Sequence, residues 1–121
     1  MTINNWEAYR KSIWDWAFLK PCFGNSGIEP TDIDGFAERK QQFLVLETKK
    51  PGVAMPEGQA LAFTRLVETG YVTVITIWGK PGKPEQMSVW QPGDMAAPQE
   101  ADEAAVKREV SEWYKRANSQ Y

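Results

Sequence analysis

The tightest constraint on how this chain folds is Phe43-Leu44-Val45-Leu46, an unbroken apolar run that ends abruptly in Glu47-Thr48-Lys49. Side chains of a strand alternate between its two faces, so consecutive apolar residues read as a strand covered on both sides. The same alternation puts Glu47 and Lys49 on one side of the strand's end. Burying either charge unpaired would cost roughly several kcal/mol, so a carboxylate and an ammonium here call for a site where they meet each other, a metal ion and a phosphate.

The preceding segment supplies a second acidic group. Across Thr31 to Glu38, Ile33, Gly35 and Ala37 alternate with Asp32, Asp34, Phe36 and Glu38, which predicts a first strand. Arg39-Lys40-Gln41-Gln42 is a polar turn back into the apolar run. A hairpin closed there sets the Asp32/Asp34 end beside the Glu47/Lys49 end. Mg²⁺ takes oxygen ligands in octahedral geometry and is commonly held by one or two carboxylates plus substrate phosphate oxygens. Asp34 and Glu47 suit that role, and Lys49 suits orienting a bound water or offsetting charge on phosphate oxygens. The chain has no histidine, which excludes imidazole-based hydrolases and His-ligated metal centres.

Asp34 followed by Glu47-Thr48-Lys49, with Pro30-Thr31-Asp32-Ile33 ahead of it, resembles the PD-(D/E)XK nuclease superfamily, and the tight spacing is similar to that of small phage and archaeal Holliday junction resolvases. The resemblance covers most of the chain. It implies an α/β fold with a restriction-endonuclease-like αβββαβ core, a mixed central sheet flanked by helices with an extra C-terminal strand and helix, and a single domain over residues 1–121. It implies a metal held by Asp34, Glu47 and the carbonyl of Thr48, with Lys49 catalytic; Asp32 competes with Asp34 as the principal ligand. Many members add a Glu on the first helix, for which Glu7 stands here with Asp15 as an alternative, and a Gln on the helix after the Lys strand, for which Gln59 stands. Glu7 also reads as an acid at a helix start and Asp32 as a turn residue. Gln59 shares a helical face with Phe63 and Leu66 and is expected to point inward.

Elsewhere the pattern builds the scaffold. Asn5 caps an expected helix with Trp6, Tyr9, Ile13 and Ala17 as its stripe, ending before Pro21. Cys22 reads as a small core residue near the first sheet strand, and a lone cysteine fits a reducing cytoplasm. A helix over Pro56 to Glu68 stops at Gly70, and Tyr71 to Trp78 is a strong β run. The Gly79 to Pro84 turn leads to a short strand, Met87 to Trp90. Glu100 to Asn118 is a final helix with Val106, Val110, Trp113, Tyr114 and Ala117 on its apolar side.

Charge and composition limit the partners. No apolar run reaches the length of a membrane span and no leader pattern is visible, so neither a membrane partner nor export is expected. The formal net charge is −2, which argues against coating DNA nonspecifically. A local basic rim of Lys49, Lys50, Arg65 and Lys80, with Lys83 nearby, is expected to touch phosphates. Trp78 and Trp90 could stack on unpaired bases, although core or dimer-interface roles are commoner for tryptophan. The resemblance implies a Mg²⁺- or Mn²⁺-dependent endonuclease acting on branched or structured DNA, a homodimer, in a bacterial or phage-infected cytoplasm. Two alternatives are a nuclease-fold protein that binds or inhibits without turnover and a restriction-like or exonucleolytic enzyme.

Overall fold

The computed structural model describes residues 14–95 and 97–120. The chain divides into two compact units, Met1–Asp32 and Ile33–Tyr121.

In the first unit the described backbone forms a 3-10 helix over Trp16–Phe23, with the Asp15 carboxylate accepting from the Ala17 amide. Its course corrects the expectation of a helix ending before Pro21. Proline has no N–H to donate, so the 3-10 winding passes Pro21 with one backbone donor missing and ends instead before Gly24, at φ 63°. The remainder of the expected first helix, including Asn5, lies outside the described residues. Cys22, expected in the core, is exposed on this short helix. Trp14, Trp16 and Phe18 group their rings at centroid distances of 5.8 to 6.5 Å.

The second unit is a mixed sheet between helices. Strands β1 (Gly35–Arg39) and β2 (Gln42–Lys49) form the expected hairpin. Lys40 and Gln41 alone make its turn, both at positive φ (49° and 66°), the twist that a two-residue hairpin loop requires. Helix α1 (Glu57–Glu68) then crosses over, and β3 (Val72–Lys80) returns parallel to β2. Strand β4 (Lys83–Gln91) folds back antiparallel on β3. Two-residue strands β5 (Asp94–Met95) and β6 (Gln99–Glu100) both pair with β4, and helix α2 (Glu103–Asn118) closes the unit.

Two elements, β4 and α2, differ from their sequence reading. β4 is a full partner of β3 rather than a short strand, because Gly79 absorbs a bulge in β3 where any Cβ would collide with the Lys83 carbonyl. Helix α2 begins at Glu103 rather than Glu100, because Asp102 caps it by accepting from the Ala105 amide and Gln99–Glu100 pair with β4 instead. Tyr114 leaves the apolar stripe for solvent, at 49% exposure, while Trp113 and Ala117 are buried. Two strands, not three, precede the crossover helix among the described residues.

Alternation along the strands sorts the core into two layers. Val45, Val74 and Trp90 pack under Phe63 and Val67 of α1; Leu44 and Ile75, on the opposite face, pack against Trp113 and Ala117 of α2. Both faces of β2 are covered, as its apolar run demanded. Phe63 meets Trp90 edge to face at 5.8 Å. Trp78 and Trp90 are 7% and 5% exposed, so both serve the core. Among the described residues no helix is long and apolar enough to cross a membrane.

Candidate functional site

The β1–β2 register decides where the acidic residues meet. Gly35 pairs with Leu46 and Phe36 with Val45, so Asp34 comes level with Glu47 at the open end of the hairpin. β1 starts at Gly35, not at Thr31 as the alternation predicts, and the reason lies in Asp34 itself. Its Oδ2 accepts from the Thr48 amide at 2.9 Å and the Thr48 hydroxyl at 3.0 Å. A side chain thus takes the place of the next ladder bond, and the backbone N-terminal to it is freed from the sheet.

Successive peptide groups of a strand face opposite neighbours. The Phe43 amide bonds the Tyr71 carbonyl on the β3 side, while that of Thr48 bonds Asp34 on the β1 side. The Thr48 carbonyl shares the direction of its amide, towards a neighbour strand that has already ended. It is left over from the ladder beside the Asp34 carboxylate.

Glu47 and Lys49 stand on the α1 face. Their side chains are 9% and 15% exposed, and Lys49 Nζ lies 3.4 Å from Glu47 Oε1. With Asp34, Thr48 and Lys50 they line a cleft of about 700 Å³ whose far wall is the β3–β4 turn, Gly79 to Gly82, including Lys80. Lys49, Lys50 and Lys80 therefore set three cations against the carboxylates of Asp34 and Glu47 in one concavity, a charge balance suited to holding an anion beside a cation.

Gln59 belongs to the first turn of α1, four and eight residues before the buried Phe63 and Val67, and so on the stripe that packs against the sheet. Its Oε1 is buried without a hydrogen-bond partner. A helix joining two parallel strands runs back along them, so its first turn sits at the end where β2 and β3 finish, the end that carries Glu47.

Other expected members fall elsewhere. Asp32 closes the first unit, where its Oδ1 accepts from the Trp16 indole at 2.9 Å. Asp15, the alternative to Glu7, is spent on capping the short helix, and Glu7 lies outside the described residues. Arg65 is exposed in the last turn of α1, away from the cleft lining, and Lys83 is likewise outside it. Sequence reasoning missed Thr76, which pairs in register with Glu47 and is fully buried with its Oγ1 unpartnered. Nothing in a run such as Thr73-Val74-Ile75-Thr76-Ile77 marks one threonine over another; only strand register singles it out.

Among the described residues no group of three or more His, Cys, Asp or Glu gathers to hold a metal. A cation here would rest on the two carboxylates, the Thr48 carbonyl and water. That sparse, all-oxygen set suits Mg²⁺ or Mn²⁺ and is poor for softer metals. No protein-family model matches the chain, and neither does any curated protein or solved structure.

Proposed function

We propose that the chain is a Mg²⁺- or Mn²⁺-dependent endonuclease of the PD-(D/E)XK type that hydrolyses phosphodiester bonds in branched or structured DNA. The observation that supports it best is the meeting of Asp34, Glu47 and Lys49 in a single cleft, with the Thr48 amide between them donating to Asp34. In this reading the two-stranded hairpin, α1 and β3 form the heart of a restriction-endonuclease-like core. Asp34 through its free Oδ1, Glu47 and the Thr48 carbonyl hold the cation. When bound, the cation would acidify a water and polarise the scissile phosphate.

The protein's own groups do the rest. Lys49 leaves its ion pair with Glu47 to offset charge growing on the phosphate oxygens, while Gln59, with its Oε1 buried and outside the cleft lining, supports the site from behind. Lys50 and Lys80 hold neighbouring phosphates. A surface of net charge −2 gives little purchase on plain duplex, so preference for branched DNA would come from shape and from two sites in a homodimer. The compartment in this reading is a bacterial or phage-infected cytoplasm.

A second reading draws on a specific feature: Asp34 is bonded to Thr48 and Glu47 is paired with Lys49 without any ligand. Such a self-satisfied site suits a binding protein that no longer turns over. The two readings part on a cleavage panel of four-way junction, flap, single-stranded and linear duplex DNA with Mg²⁺, Mn²⁺ or EDTA. The nuclease reading expects metal-dependent cutting that Lys49→Ala reduces by about 10²-fold or more while Mn²⁺ binding persists. No cutting of any substrate by wild-type protein would leave the binding reading standing.

A further inference from the structure

The α1 face of the sheet is built in rows. Val45, Val74 and Trp90 form an apolar row; Glu47, Thr76 and Ser88 form the next; Lys49, Trp78 and Gln86 come last, at the end of β2. The middle row is anomalous because its members are polar yet only 7%, 0% and 3% exposed. Glu47 has Lys49 as its partner, and the Ser88 hydroxyl accepts from the Trp90 indole at 3.0 Å. Thr76, between them, has none.

A hydroxyl removed from water without a hydrogen bond is a standing cost, and valine would fill the same volume without it. Strand preference gives no reason for threonine either, since valine is at least as good in a sheet interior. The hydroxyl must answer to something other than packing. Its register partner names the candidate: Glu47 lies directly across the parallel pair on the same face, and its carboxylate is an acceptor for which the Thr76 hydroxyl is a donor.

We propose that Thr76 is a positioning residue for Glu47, an inference that rests on the metal-site reading of that carboxylate. In the structure Glu47 Oε1 lies 3.4 Å from Lys49 Nζ and the Thr76 hydroxyl has no partner. With Glu47 committed to a divalent cation, the Thr76 hydroxyl donates to the carboxylate oxygen left over and fixes the plane in which the other is presented. Partners of this kind behind a metal ligand commonly govern affinity about 10- to 100-fold.

Thermal unfolding of the full chain, in EDTA and across a Mn²⁺ titration, separates this role from a structural one, because ligand that binds only the folded state raises Tm by mass action. Thr76→Val should hold or raise Tm in EDTA, since an orphaned hydroxyl is gone, yet bind Mn²⁺ about tenfold more weakly. Thr76→Ser, which keeps the hydroxyl, should return Mn²⁺ affinity to near the wild-type value. Equal Mn²⁺ affinity in Thr76→Val and wild type overturns the proposal. So does a lower Tm of Thr76→Val in EDTA, which would mean the hydroxyl already has a partner, and so does a Thr76→Ser variant as weak as Thr76→Val. Wild-type protein that gains no stability from Mn²⁺ instead overturns the metal-site reading itself, and this inference with it.

Discussion

The two faces of the sheet are made from the same strands and have been given different work. Towards α2, Leu44, Ile75, Trp113 and Ala117 form a buried layer with Leu46, Ile77, Val89 and Val110 around it, and no polar side chain is buried there among the described residues. Towards α1, the layer is interrupted by Glu47, Thr76 and Ser88. Alternation with a period of two lets one strand feed both faces independently, so a residue can be set for chemistry while its neighbours on either side are set for packing. β2 does this within three residues, sending Leu46 and Thr48 one way and Glu47 the other.

If the division holds, the largest effect of a single change belongs to the α2 face and should leave the site intact. Trp113→Ala is expected to cost about 3–5 kcal/mol of stability by opening a cavity in that layer. Denaturant unfolding measures the loss, and the protein that remains folded should still take up Mn²⁺ with wild-type affinity. A parallel loss of affinity would mean that the two faces are coupled.

A smaller effect is expected from the polar row. Ser88→Ala removes the acceptor of a buried indole N–H and should cost about 1–3 kcal/mol, read from the same unfolding curves. The smallest concerns Thr48, which lies on the α2 side of β2 yet donates its hydroxyl to Asp34. Thr48→Val leaves the amide bond to Asp34 in place and removes only the second donor, so it should cost about 0.5–1.5 kcal/mol. A loss well above that range would place Asp34 under the control of both faces and sharpen the boundary between them.

Much of this was legible from residue order alone. The apolar run of β2, the polar hairpin turn and the Gly70 stop of α1 are local signals, and each gave its element close to the observed bounds. The convergence of Asp34 with Glu47 and Lys49 was also readable, because one tight turn sets their register. What failed depended on partners remote in sequence. Cys22 looked like a core residue because its burial could be judged only by type, and Tyr114 looked like part of a stripe because 3.6-residue periodicity does not say how wide a groove the sheet offers. The full length of β4 needed the bulge at Gly79. The row through Thr76 needed the register of three strands at once.

The hairpin turn carries a consequence for how the molecule comes together. Lys40 and Gln41 hold positive φ without being glycine or asparagine, so the turn works against the preferences of its own residues. Its tip is held from elsewhere: Arg39 Nε donates to Asn118 Oδ1 at 2.8 Å and Lys40 Nζ to the Asn118 carbonyl at 2.9 Å, at the end of α2. The turn is thus supported twice, locally by the Glu38 carboxylate accepting from the Gln41 amide at 2.9 Å and remotely by a clasp on a residue almost eighty positions later. The register that sets Asp34 beside Glu47 is therefore secured at both ends of the chain's second unit, by the hairpin's own ladder and by the end of the last helix.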